Sequence, residues 1–220
     1  MDKINLERVL SFLSSLSMNN NKTWFDQNRQ DYEAARDAFE NFINALIDEF
    51  RISDDLQDLT AKDCISRIYR DIRFSKDKSP YKTNMWATIA PGGKKAMHMG
   101  YHVAVQPQGQ SILAGGMWEP TPDQLANFRQ TIDHNAAEFK KITSDKALLD
   151  YFGGIEGEKL KTAPQGYDRS HPEIELLQYK QVVVVHYYTD QQVLADNFLE
   201  TVGKGCRAMR PFLDYLDEIL

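Results

Sequence analysis

Apolar residues recur every three or four positions at Leu6, Val9, Leu10, Leu13 and Leu16, which predicts a short amphipathic helix over residues 4–17. Met18-Asn19-Asn20-Asn21 interrupts that stripe. Asparagine is poor inside helices and good at their caps, so one of these residues should start the next helix. Phe25, Tyr32, Ala35, Phe39, Phe42, Leu46 and Phe50 then predict one long helix over 22–50, about 40 Å from end to end. Its aromatic stripe belongs to the core, and Asp31, Glu33, Arg36 and Asp37 form the opposite, solvated face. Residues 54–63 are polar and acidic and read as a loop with a helical turn; 64–69 read as a strand. Pro80 disfavours helix at Ser79, so 75–81 should be a loop.

From residue 85 the period falls to two. Met85, Ala87 and Ile89 alternate with Trp86, Thr88 and Ala90; after Pro91-Gly92-Gly93, Met99, Tyr101, Val103 and Val105 alternate with His98, Gly100, His102 and Ala104. A turn at Pro107-Gln108-Gly109 leads to a third strand over 111–118, in which Gly115-Gly116 marks a bulge or a close backbone approach. Short connections between alternating runs predict an antiparallel meander. Thr121-Pro122-Asp123-Gln124 carries a helix start, with further short helices over 136–142 and 146–152, a loop at 153–157 and a short helix after Pro172. Residues 181–188 are β-branched and aromatic, a buried strand. Thr189-Asp190-Gln191-Gln192 is a second capping box. The C-terminal helical stripe (Leu194, Phe198, Val202, Met209, Leu213, Leu216, Leu220) should be split or kinked by Gly203, Gly205 and Pro211. The whole predicts one α+β domain: a central antiparallel β-meander packed against long N- and C-terminal helices.

Composition changes this picture little. The chain has 220 residues, 42% hydrophobic and 26% charged, as in an ordinary globular protein. A net charge of -6 argues against a broad cationic nucleic-acid-binding face. The two cysteines, Cys64 and Cys206, form no C-x-x-C pair and read as reduced, buried thiols. The start M-D-K-I-N lacks a signal-peptide pattern, and the longest aliphatic run, Val182 to Val185, is far too short to span a bilayer; a cytoplasmic protein without a membrane partner is expected.

Charge is concentrated in one place. R-I-Y-R-D-I-R-F-S-K-D-K-S-P-Y-K, residues 67–82, holds six basic residues (Arg67, Arg70, Arg73, Lys76, Lys78, Lys82) against two aspartates, Asp71 and Asp77. Arginine offers a planar fork of donors for phosphate or carboxylate, and lysine a compact charge. Ser75, Ser79 and Tyr81 add neutral donors, and Phe74, Tyr81, Trp86 and Trp118 offer faces for a base or sugar. One reading is therefore a pocket for an anionic small molecule, lined by Arg67, Arg70, Arg73, Ser75, Lys76, Lys78, Tyr81, Lys82 and Trp118. A second is a binding module for nucleic acid or an acidic protein, with the same cations exposed. A third uses the arginines structurally, as partners of Asp71, Asp77 and the acidic 48–63 region. No catalytic spacing, phosphate-binding glycine motif or zinc signature occurs, and no cofactor is expected. His98 and His102, four residues apart on a strand and about 13 Å distant, cannot share one metal ion. Tyr81 and the loop residues Asp168, His171 and Glu173 are the acid–base candidates; the last three serve equally as caps for the helix that follows.

The 67–82 segment resembles the hallmark of a widespread domain-of-unknown-function family of bacteria and fungi. N-N-N-K-T-W-F (19–25), G-G-M-W-E-P (115–120), F-R-Q-T-I (128–132) and P-Q-G-Y-D-R-S-H-P (164–172) fit the same family in the same order, so the resemblance spans nearly the whole chain. Gln165 and Gln178 stand where basic residues are expected. The resemblance implies a single cytoplasmic α+β domain and carries no activity with it.

Overall fold

Helix and strand starts are set by short-range chemistry in the computed structural model, which describes residues 5–56 and 58–220. The sequence readings that touch residues 1–4 and Gln57 lie outside the described residues. In chain order the elements are α1 (Glu7–Met18), α2 (Lys22–Gln27), α3 (Arg29–Phe50), α4 (Ala61–Cys64), β1 (Met85–Ile89), β2 (Tyr101–Val105) and β3 (Ser111–Met117). There follow α5 (Pro122–His134), α6 (Ala137–Thr143), α7 (Lys146–Phe152), α8 (Ile174–Leu177), β4 (Val182–Tyr188), α9 (Asp190–Val193) and α10 (Phe198–Ile219). The fold is α+β, with strands in the sheet order β1-β2-β3-β4. The contacts fall into two compact units. The first holds the described residues up to Met97, Tyr101–Leu113 and Tyr187–Gly203; the second holds His98–Gly100, Ala114–His186 and Lys204–Leu220.

In the first unit α1 packs on α3, which also meets β1. The stripe read from the sequence is the core here: Val9, Leu13, Leu16, Phe39, Phe42, Ile43, Leu46 and Ile47 are fully buried, and each large side chain of this kind contributes about 1.5–3 kcal/mol. The predicted 22–50 helix is broken at Asn28. Its side-chain amide donates to the Trp24 carbonyl at 2.8 Å, and its backbone leaves the helical region at φ -110, ψ 25; asparagine here competes with the helix for its own carbonyls. Asn21 caps α2, accepting from Trp24 N at 3.0 Å. β1 pairs antiparallel with β2, Met85 opposite Val105 and Ile89 opposite Tyr101, and Met85, Ala87 and Ile89 point into the core. The strand expected over 64–69 does not form. Thr60 and Asp63 make a reciprocal capping box that draws Ala61–Cys64 into a helical turn, and the chain beyond it makes only isolated antiparallel bridges, Ile65 to Ala87 and Tyr69 to Tyr81.

In the second unit α5 starts at the predicted Thr121/Gln124 capping box with Pro122 in its first turn. Phe128, Phe139 and Tyr215 form an aromatic chain with centroid separations of 5.3 and 5.7 Å. Gly115 and Gly116 are a close backbone approach: a Cβ on Gly116 would lie 2.3 Å from the Val182 carbonyl oxygen, and one on Gly115 would lie 2.3 Å from Met209 Sδ. The C-terminal stripe breaks earlier than expected. Residues 194–197 separate α9 from α10, and α10 runs unbroken through Gly203, Gly205 and Pro211. Val202, Cys206, Met209, Phe212 and Leu216 are buried along it. That continuous apolar face outweighs the single helical bond proline removes. Cys64 and Cys206 are both buried and form no disulfide, and burial pushes the Cys64 thiol up to about 12.

Candidate functional site

The basic segment doubles back on itself. Tyr69 bridges Tyr81, Arg70 N donates to Pro80 O at 2.9 Å, and Lys82 N donates to Ile68 O at 2.8 Å, so residues 70–80 form a clasped loop. The clasp is held from below by the N-N-N-K-T-W-F stretch. Asn20 grips the Tyr81 peptide at both ends, donating to its carbonyl at 2.9 Å and accepting from its N–H at 3.1 Å. Phe25 stacks on the Tyr81 ring, centroids 4.0 Å apart and planes 13° apart.

Inside the loop, arginines meet aspartates. Arg70 pairs with Asp77 and also donates to Ser79 O at 3.0 Å. The Ser79 hydroxyl and backbone N–H, with Arg70 behind them, hold the Asp77 carboxyl down at about 2. Arg73 pairs with Asp71 at 2.6 Å and, with its own backbone N–H, lowers that carboxyl. Lys78 Nζ donates to the Ile72 carbonyl at 3.0 Å. Two of the three arginines are therefore committed to the loop itself. The Arg73 pair, on an open surface, contributes little to stability; the half-buried Arg70 network sets the loop's shape. Arg70→Met should raise amide exchange at residues 75–79, seen by hydrogen–deuterium exchange mass spectrometry, while lowering overall stability by about 1 kcal/mol. Unchanged exchange there would show that the ion pair does not order the loop.

Beside the clasp lies a cleft of about 620 Å³, lined by Ser17, Asn20, Arg70, Asp71, Asp77, Ser79, Tyr81, Lys82, Thr83, Asn84 and Trp86. Among the described residues Lys82 has no carboxylate within ion-pairing distance, although it is only half exposed. Burial, and secondarily the neighbouring Arg67, lower its pKa. Arg67, Lys76 and Lys78 likewise lack carboxylate partners among the described residues, and all three are exposed. Of the residues expected to line a pocket, Arg70, Tyr81 and Lys82 do so; Arg67, Arg73, Ser75, Lys76 and Lys78 lie outside its lining, and Trp118, exposed, belongs to the second unit. Asn20, Thr83 and Asn84 escaped the sequence reading. Asn20 was legible only as a helix cap, yet it stands within a stretch shared with the family pattern.

The acid–base candidates are engaged elsewhere. Tyr81 is buried, and burial raises its phenol, the wrong direction for a base. In the second unit His171 spends both ring nitrogens: Nε2 on Asp133 at 3.0 Å and Nδ1 accepting from the Glu173 N–H at 3.0 Å. Asp168 accepts from the Ser170 hydroxyl and N–H at 2.6 and 2.7 Å, and Glu173 pairs with Lys140 at 2.5 Å. These contacts fasten residues 168–173 to one another and to Asp133 and Lys140; none of the three side chains caps α8, whose first turn has no side-chain cap, so the expected capping role is not met. Among the described residues no three of His, Cys, Asp or Glu gather to hold a metal ion, and no helix is long and apolar enough to cross a membrane.

A family model described as conserved hypothetical protein (DUF2461) matches residues 8–215. The chain belongs to the DUF2461 family. No curated protein and no solved structure matches it. In this DUF2461 chain the stretches that carried the resemblance at residues 19–25 and 67–82 meet physically, through the Asn20 clamp and the Phe25–Tyr81 stack.

Proposed function

We propose that the cleft beside the 67–82 clasp binds a phosphate- or carboxylate-bearing small molecule. The observation that carries this reading is Lys82: a half-buried ammonium facing a cavity with no carboxylate partner among the described residues. A desolvated cation without a counter-ion is costly, and an anion entering the cleft removes that cost. The backbone at Lys82 is held by its own bond to Ile68 O and by the Asn20 grip on the preceding residue, so the charge is positioned before a ligand arrives. Binding, not catalysis, is the activity this geometry supports.

The expected result is a thermal stabilisation by inorganic phosphate, pyrophosphate or succinate, about 2.7 kcal/mol at one hundred times the dissociation constant. Lys82→Met should weaken that anion at least tenfold, the worth of one charge-assisted hydrogen bond, while Arg73→Ala leaves it unchanged. Equal binding by wild type and Lys82→Met would sink the proposal.

One observation favours the polymer reading. Phe74 is 95% exposed on the clasped loop, and Arg73, Lys76 and Lys78, exposed as well, lie outside the cleft lining. An aromatic face among cations suits single-stranded nucleic acid. On that reading a short oligonucleotide binds with affinity that falls steeply with salt and is lost in Phe74→Ser.

A further inference from the structure

Two features of the cleft have no role in anion capture. The first is Trp86. It stands on the face of β1 opposite the core residues Met85, Ala87 and Ile89, and it lines the cleft. Its backbone carbonyl accepts from Ser66 N at 2.9 Å. Its ring is backed by His102 on β2, centroids 5.8 Å apart, and the Thr88 hydroxyl lies 3.1 Å from His102 Nδ1. Burial lowers the His102 pKa, so this support is uncharged at neutral pH. The indole is thus a braced, half-exposed plane. The second feature is Asn84. Its amide Nδ2 donates to Gln106 Oε1 at 3.1 Å, which leaves Oδ1 as an acceptor with no partner among the described residues.

We infer that the cleft takes a mononucleotide, with the base stacked on Trp86, its exocyclic amine donating to Asn84 Oδ1, and its phosphate on Lys82. This deepens, and rests on, the anion-binding reading. Each group supplies what the others lack. Base–aromatic stacking needs a flat apolar plane. Asparagine reads the amine of adenine or cytosine. The phosphate needs the ammonium. Lys82 and Trp86 are four residues apart, at most about 13 Å between Cα atoms on an extended chain, so their side chains can hold the two ends of one ligand. A cleft of about 620 Å³ falls in the ordinary range for such sites.

The test is calorimetric titration with AMP, CMP, adenosine, ribose 5-phosphate and inorganic phosphate, on wild type, Trp86→Leu, Trp86→Phe and Lys82→Met, each checked for folding by its melting temperature. AMP or CMP should bind about tenfold or more tighter than ribose 5-phosphate, the gain expected of one stacked base. Trp86→Leu should abolish that advantage without weakening inorganic phosphate, and Trp86→Phe should keep most of it. Lys82→Met should weaken AMP, CMP, ribose 5-phosphate and phosphate, and leave adenosine unchanged. If the nucleotides bind no tighter than ribose 5-phosphate, or Trp86→Leu leaves their advantage intact, the base subsite is wrong while anion binding stands. If none of the phosphate compounds binds, this inference falls, and if succinate gives no thermal stabilisation either, the anion reading falls with it.

Discussion

Gly116→Ala should destabilise the protein by about 2–6 kcal/mol, although it adds only one methyl group. Two penalties act together. Gly116 sits at φ +114, a region costing an L-residue roughly 1–3 kcal/mol. A Cβ there would also lie 2.3 Å from the Val182 carbonyl oxygen and 3.0 Å from both Val183 Cα and a Phe212 ring carbon. Backbone cannot rotate away as a side chain can, so overpacking adds about another 1–3 kcal/mol or more. For a chain of this length each kcal/mol moves the melting temperature by about 2–4 °C, and calorimetry should record a fall of roughly 4–24 °C or failure to fold. Gly109→Ala is the control: φ is +70 but nothing lies within 4 Å of the new Cβ, so only the backbone penalty applies. Gly115→Ala should fall between them, because its closest obstacle is the flexible Met209 thioether. Equal effects at positions 109 and 116 would show that strain, not contact with the Val182 peptide, is what makes glycine necessary.

Asn20→Ala should cost about 2–6 kcal/mol and remove anion binding together. The substitution leaves the Tyr81 N–H and carbonyl, both in a part-buried setting, without the two bonds that satisfied them, and each abandoned group costs about 1–3 kcal/mol. Tyr81 then loses the grip that registers it on Phe25, and Lys82, the next residue, loses its fixed position at the cleft. Chemical denaturation should show a lower midpoint with an unchanged slope. Asn20→Asp separates the roles: a carboxylate still accepts from the Tyr81 N–H but faces the Tyr81 carbonyl with no donor, so it should be about as destabilising as alanine. If Asn20→Ala keeps wild-type stability, the clamp does not hold the clasp. If it loses stability but binds phosphate normally, Lys82 is positioned by the Ile68 bond alone.

Much of this molecule is legible in its sequence. Local rules suffice where one residue's chemistry meets only its neighbours. The capping boxes at Thr121 and Thr189 start α5 and α9 where the spacing of threonine and glutamine says they should. Alternation over 85–89 and 101–105 yields the paired strands. Local rules failed where two signals competed within a few residues. At 60–65 a Thr-x-x-Asp capping box drew the start of the expected 64–69 strand into a helical turn. At Asn28 a side-chain amide captured a helical carbonyl and cut an otherwise continuous stripe. At Pro211 the reverse occurred: a helix breaker was overruled by the buried face of α10.

The candidate site divides in the same way. Charge density alone singled out 67–82, because six cations in sixteen residues stand out in an acidic chain. Which cations are spent and which are available depends on where each side chain folds back. Arg70 and Arg73, both read as ligands from composition, pair with Asp77 and Asp71, whereas Lys82 has no carboxylate partner among the described residues. Ion pairing depends on distances of a few ångströms between side chains set by the turn geometry, and composition does not encode them. By itself, then, the sequence determined the family, the α+β class, most element boundaries and the location of the basic segment, since all of these rest on periodicity and neighbouring residues. Only the tertiary structure decided that β4 joins the sheet beside β3, that Asn20 reaches 61 residues along the chain to Tyr81, and that the cleft opens at Lys82 and Trp86. Those contacts are fixed by packing between segments distant in sequence, where no local period carries information.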